Sequence, residues 1–183
     1  NKNSKILDIG CGRANIISYL QKKYRFDKKA IGVDIVKNKE IKKNIIFKKI
    51  DAIQYLRKTN ILFDLILIKQ TIHLLQFKEI KQLLVLCSET LNPRGKIIIF
   101  SLNTNRNEIP TFLSMRRKLK KSLNRDKKII QFILKLNFKA LIKKFSFKVN
   151  ITKKKYIKMI ENRYISTLLS FKSKEINKGI KEI

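Results

Sequence analysis

Two rhythms of apolar and polar positions alternate along the first hundred residues. Short, nearly continuous apolar runs at 5–9, 30–34, 44–50, 63–68 and 96–101 predict strands covered on both faces. Helical spacing fills the gaps. Ile16, Ile17 and Leu20 share one face over 14–23, and 52–58 fits a short helix. Over 78–91 a helix gathers Ile80, Leu83, Leu84, Cys87 and Leu91 on one stripe. The run Asn92-Pro93-Arg94-Gly95 then predicts a turn, since Pro cannot continue a helix. This alternation predicts an α/β architecture, a Rossmann-like doubly wound and mostly parallel sheet. Right-handed crossovers on both faces leave a ligand crevice at the strands' carboxyl ends.

The pattern changes after Ser101. Residues 103–110 read as a polar loop. Residues 112–123 and 129–144 read as two helices around a charged joint at 124–128. Phe147, Val149 and Ile151 alternate with polar neighbours and predict a sixth strand over 145–151. Helical patterns return over 156–169 and 174–183.

Composition adds bounds. The 183 residues, 44% of them hydrophobic, suffice for one domain with a core. No apolar run approaches the ~18–20 residues of a membrane span, so no membrane partner and a cytoplasmic location are expected. Cys11 and Cys87 are too few for a disulfide framework and read as small packing residues. The net charge of +31 admits a nucleic-acid partner. The favoured reading is compositional: Lys, Ile and Asn are abundant throughout the chain, as A/T-rich codons would make them.

The chemistry sits at the strand ends. Asp8 lies within the first apolar run, before Gly10-Cys11-Gly12-Arg13-Ala14. Asp34 closes the second run and Asp51 follows the third, although only 13 acids stand among 44 basic residues. An acid at such an end can also cap the next helix. Gly10 and Gly12 allow a sharp turn and close approach of backbone to ligand. A dinucleotide fingerprint would need glycine at position 15, which is Asn15. No triphosphate-binding loop and no His/Cys metal cluster is present in the sequence.

Five ordered blocks carry a resemblance: ILDIGCGRA, GVDI, Asp51-Ala52, FDLILIKQTIHLL and LNPRGKIIIF. Together they resemble class I S-adenosylmethionine-dependent methyltransferases of the small-molecule type. The resemblance implies S-adenosyl-L-methionine as cofactor and methyl transfer to a small-molecule acceptor. The alternatives are an RNA or protein acceptor, or a non-catalytic methyltransferase-like binding module. It implies a loop of Asp8, Gly10, Cys11 and Gly12 around the cofactor's methionine end, with Asp8 toward its amino group. Asp34 is implied at the ribose hydroxyls, Ile35 against adenine, and Asp51 with Ala52 at the adenine amino group. Lys69 and Gln70 would begin a loop beside the transferred methyl, and His73 is a candidate base.

The resemblance also divides the chain. Residues 1–101 would form the cofactor-binding core, 102–144 a helical substrate-covering insertion, and 145–183 a C-terminal strand and helices within the same domain. Phe112, Met115, Leu119, Phe132, Ile133 and Leu136 are candidates to line an acceptor pocket, and Arg116 and Arg117 to clamp an acceptor anion. The block IKQTI lacks the Asn/Asp-Pro-Pro-aromatic pattern of nucleic-acid amino-methylating relatives. A helix before the first strand and a last antiparallel strand, usual in the family, are expected to be missing. The acceptor atom and the oligomeric state stay open.

Overall fold

A computed structural model of the chain describes residues 1–37, 40, 42–102, 110–136, 138–146 and 148–183. Two compact units divide it, Asn1–Ser101 and Leu102–Ile183.

The first unit holds strands β1 (Ile6–Ile9), β2 (Ile31–Asp34), β3 (Ile46–Lys49), β4 (Phe63–Lys69) and β5 (Leu91–Phe100). Helices α1 (Asn15–Tyr24), α2 (Ala52–Lys58) and α3 (Phe77–Glu89) connect them. All four ladders are parallel, in the order β3-β2-β1-β4-β5. The chain steps outward from β1 to β2 to β3, then returns across β1 to β4 and β5. Right-handed crossovers therefore put α1 on one face and α2 with α3 on the other. Packing agrees. Ala14 and Ile17 bury with Ile6 and Leu67 on the first face, and α2 contacts α3. Leu7, Ile9, Ile66 and Ile68 point to the second face and are also buried. Each such side chain contributes about 1.5–3 kcal/mol of apolar burial. The reversal of strand order falls between β1 and β4, where open α/β sheets bind ligands.

Polar side chains fix the connections. Gln21 of α1 donates to Phe26 O (2.8 Å) and accepts from Ala30 N (2.9 Å), setting the turn into β2. Ser18 Oγ donates to Asn44 Oδ1 (2.8 Å), tying α1 to the approach to β3.

The Asn92–Gly95 stretch is not a turn between helix and strand. It lies inside β5, where Phe63 pairs Leu91 but Leu65 already pairs Lys96. Asp64 thus faces four residues across a wide bulge. Its carboxylate pins the bulge by accepting from Asn92 Nδ2 (2.7 Å) and Lys5 N (2.7 Å). Gly95 is required there, since a Cβ would stand 2.7 Å from Phe63 O.

The second unit departs from the sequence pattern. Residues 113–135 form one helix, α4 (Leu113–Lys135), in place of two. The charged joint at 124–128 contains neither Gly nor Pro, and its lysines and arginine sustain a helix. The helix stops nine residues before the expected 144, with Leu136 N donating to Ile133 O (3.1 Å) in a tightened last turn. The described residues of 138–151 carry no helix or strand, so the sixth strand at 145–151 is absent among them. Alternation specifies a strand only when a ladder partner is available, and Phe145 and Val149 stay exposed here. The expected 103–110 loop lies outside the described residues, Pro110 apart.

Helix α5 (Lys153–Glu161) is capped by Thr152, whose hydroxyl accepts from Lys155 N (3.2 Å). The helix expected at 156–169 ends early, with α5 closing at Glu161 and a single 3₁₀ turn at Ser166–Leu168, and the one expected at 174–183 is helix α6 (Ser173–Ile180). Phe112, Met115, Tyr156, Ile160, Leu168, Phe171 and Ile176 form this unit's own core. Phe112 meets Phe171 edge-on (5.6 Å) and leaves no room for a side chain at Gly179. Phe112 and Met115 are thus spent on packing, against the acceptor-pocket expectation. Among the described residues no helix is long and apolar enough to cross a membrane.

Candidate functional site

Local geometry builds the site from the end of β1. The chain leaves the strand at Gly10, whose N–H donates to Val33 O (2.9 Å), as does that of Cys11 (3.2 Å). Gly10 (φ +67°) and Gly12 (φ +53°) take left-handed conformations. Thr71 closes on Gly10 so tightly that a Cβ would stand 2.1 Å from its Oγ1. A Cβ at Gly12 would meet nothing within 4 Å, so that part of the loop faces open space.

Ala14 also takes φ +54° and is fully buried, at the N-cap of α1. The left-handed region costs alanine about 1–2 kcal/mol. A glycine there would lose a buried methyl worth ~0.8 kcal/mol and add unfolded-chain entropy. The terms nearly cancel, which accounts for alanine at this position. Gln70, just past β4, is left-handed too (φ +50°).

A cavity of about 160 Å³ opens at the switch point, lined by Asp8, Gly10, Cys11, Arg13, Asn15, Ile16, Lys69 and Gln70. Asp8 is its buried acid, 3% exposed, with Lys69 and Asp34 as charged neighbours. Burial pushes its pKa up to about 7. The Lys69 ammonium pulls it back in part, and Asp34 adds a smaller upward push. Cys11 packs on β2, where a Cβ at Gly32 would stand 2.7 Å from its Sγ. Burial pushes the Cys11 thiol up to about 12, with Asp8 and Asp34 adding to the rise. Cys87, buried in α3, is likewise raised to about 12 by burial. Both thiols should therefore resist alkylation in the native protein at pH 8 and react only on unfolding. Mass spectrometry after iodoacetamide treatment checks this; fast native labelling would contradict it.

The acids at the neighbouring strand ends hold backbone. Asp34 accepts from Gly12 N through Oδ2 (2.8 Å) and from Val36 N through Oδ1 (2.9 Å). It thereby staples the glycine loop to β2, and each oxygen keeps a second acceptor site. Asp51 caps α2, accepting from Gln54 N (3.0 Å), with Ala52 as the first helical residue. Ile35 is 67% exposed beside Asp34.

Of the ten positions read as cofactor-binding, Asp8, Gly10, Cys11, Lys69 and Gln70 meet at the cavity. Gly12, Asp34, Ile35, Asp51 and Ala52 do not line it. His73 lies in a 3₁₀ turn, Ile72–Leu74, and is not on the cavity wall either. Arg13, Asn15, Ile16 and the loop-closing Thr71 were missed. Periodicity fixes where a helix or strand side chain points, but not a loop side chain.

The parallel 3-2-1-4-5 sheet, the left-handed glycine loop after β1 and the acid at the end of β2 define a Rossmann-like fold of the class I methyltransferase kind. A family model described as a methyltransferase domain matches residues 1–163, and the chain belongs to that family. No curated protein matches the sequence.

Solved structures share the fold. A SAM dependent methyltransferase from Archaeoglobus fulgidus is 22% identical over 96% of this chain and 80% of its own, with a TM-score of 0.55. The plantazolicin methyltransferase BamL, solved with a triazolic desmethylPZN analog and SAH, is 22% identical over 70% of this chain and 52% of its own, TM-score 0.53. Its counterpart BpumL, with a monoazolic analog and SAH, is 21% identical over 73% and 56%, TM-score 0.51. The chain spans about half the length of these plantazolicin enzymes.

Proposed function

We propose that this chain binds S-adenosyl-L-methionine and directs its methyl group to a small-molecule acceptor. The observation that carries the reading is Asp8. Burial disfavours a charged carboxylate, and this one is on the wall of a cavity with its pKa raised by desolvation. An ammonium group there would satisfy it. The cavity's 160 Å³ is below the ~300–1,000 Å³ of whole-ligand pockets, so it suits one end of an elongated molecule. The open space beside Gly12, the spare acceptor sites of Asp34 and the exposed Ile35 suit its remainder. The triazolic and monoazolic desmethylPZN analogs of the plantazolicin methyltransferases support a small acceptor over a macromolecular one.

In this reading the methionine end lies at Asp8, Gly10, Lys69 and Gln70. Asp34 accepts from the ribose hydroxyls, Ile35 covers one face of adenine, and Asp51 with Ala52 meets the adenine amino group. The bound cofactor supplies a methyl group already activated on a sulfonium. The protein's task is then alignment and exclusion of water. Gly10 lets backbone approach closely, Cys11 seals the loop against β2, and Lys69 balances the Asp8 charge. A base is needed only for an acceptor that must lose a proton, and His73 is the candidate for that case.

Asp34→Ala should weaken binding of S-adenosylhomocysteine by about 1–3 kcal/mol, the range for hydrogen bonds to a charged group. Equilibrium dialysis with labelled ligand reads this, and unchanged affinity would remove Asp34 from the site. Label transfer from methyl-labelled cofactor into a small-metabolite extract, and not into RNA or protein, is the result expected for the acceptor.

A further inference from the structure

Exposed apolar side chains of the second unit concentrate in one stretch. Leu141, Ile142, Phe145 and Val149 are between 54% and 78% exposed. Such side chains scattered singly are ordinary, but four within nine residues make a patch. The chain returns to the core of this unit only at Ile151. Lys139, Lys143, Lys144 and Lys148 stand among the four and are exposed as well. The charge keeps one sign over a longer span, since residues 127–160 hold eleven lysines and no acid. Codon composition accounts for many lysines. It does not account for large apolar side chains held in water among them.

The patch has to suit a partner that takes both kinds of side chain. A second copy of this chain would set lysine against lysine, each copy carrying a net charge of +31. A nucleic-acid strand would take the lysines, but its bases stack on aromatic faces and leave Leu141, Ile142 and Val149 in water. An anionic lipid surface takes both. Its headgroups attract the lysines, and the apolar tips enter the boundary between headgroups and acyl chains. We propose that this stretch docks the protein on an anionic lipid bilayer. It carries no helix or strand among its described residues, so it lies at the headgroup level, where its backbone keeps water as a partner. The contact is peripheral, since no helix among the described residues is long and apolar enough to cross a membrane. The expectation of no membrane partner rested on the lack of a spanning run, which a surface-bound segment does not need.

Flotation of the full chain with vesicles at physiological salt tests it. One set is phosphatidylcholine alone, the other phosphatidylcholine mixed with phosphatidylserine. The wild type should float with the mixed vesicles and bind the neutral ones about tenfold or more weakly. Leu141→Ser with Ile142→Ser should weaken binding to mixed vesicles about tenfold or more. Lys143→Gln with Lys144→Gln should weaken it by a similar factor, about tenfold or more. All four side chains are exposed, so circular dichroism should show the wild-type fold. Equal flotation of the wild type and the Leu141→Ser, Ile142→Ser protein would overturn the proposal, leaving diffuse attraction by net charge alone. A folded wild type that does not float with mixed vesicles would overturn it as well. A labelled oligouridine strand is the rival probe. Tight binding of that strand, lost in the Lys143→Gln, Lys144→Gln protein and joined to no flotation, would assign the stretch to nucleic acid instead. Neither readout involves S-adenosylhomocysteine, so failure here would leave the cofactor reading intact.

Discussion

Asp8→Asn should make the free protein more stable at pH 8 and cost it its ligand. The folded-state pKa of Asp8 is about 7, against an ordinary value of 3.8, and burial is the main cause. A raised carboxylate pKa means that the fold favours the protonated form. Its contribution to stability is fully present below about pH 4 and is lost as pH rises through 7. Three pKa units correspond to roughly 4 kcal/mol. Asparagine keeps the shape without the charge, but burying its amide also costs free energy, which offsets part of the gain. The variant should be more stable by about 2 kcal/mol at pH 8 and near wild type at pH 4. Affinity for S-adenosylhomocysteine should fall by about 10–100-fold, because the ammonium loses a charge-assisted acceptor. Urea unfolding at the two pH values and one titration read all three effects. Destabilisation at pH 8 with unchanged affinity would show that the Asp8 carboxylate is structural.

Gly10→Ala should be the most damaging single methyl in the first unit. The added Cβ would sit 2.1 Å from Thr71 Oγ1, 2.5 Å from Cγ2 and 2.7 Å from Cβ. Thr71 has little freedom to retreat, since its hydroxyl is held near Lys69 O (3.1 Å) and Gly10 O (3.4 Å). The positive φ adds about 1–2 kcal/mol, and the clash adds about 1–3 kcal/mol. A loss of about 2–5 kcal/mol follows from the two, together with loss of ligand binding. Gly12→Ala is the internal control. It shares the left-handed φ but meets no atom within 4 Å, so only the dihedral cost of about 1–2 kcal/mol applies. Denaturant midpoints of the two variants separate steric from dihedral effects. Equal midpoints would mean that Thr71 moves aside freely.

The first unit was legible because its signals are redundant. Leu7, Ile9, Ile66 and Ile68 are buried between two helical layers, so their strands read as unbroken apolar runs. The observed bounds fall within one or two residues of those runs for β1, β2, β4 and α2. The bulge in β5 was not legible. Asn92-Pro93-Arg94-Gly95 has the composition of a turn, and only the side chain of Asp64, 28 positions earlier, holds it in the sheet. The second unit failed for a related reason. A charged stretch such as 124–128 suits a loop or the solvent face of a helix, and α4 uses it as the latter. Alternation at 145–151 is necessary for a strand but does not supply a neighbour.

At the site, residue type was readable and side-chain employment was not. Asp34 and Asp51 stand at strand ends as expected, yet each already serves backbone N–H groups in the free protein. Of the three acids Asp8 lines the cavity, and that difference singles it out. Arg13 gave no periodic signal because it stands in a loop between two left-handed residues, Gly12 and Ala14.

In the proposed function, Asp8 and its cavity receive the ammonium of a sulfonium cofactor. Calorimetric titration of the folded protein with S-adenosylhomocysteine from pH 6 to pH 8.5 tests it most directly. The ligand ammonium needs an ionised carboxylate, and Asp8 ionises at about 7. Affinity should therefore rise by up to about tenfold per pH unit below 7 and level off above it. No detectable binding at pH 8, or an affinity indifferent to pH across that window, would contradict the account.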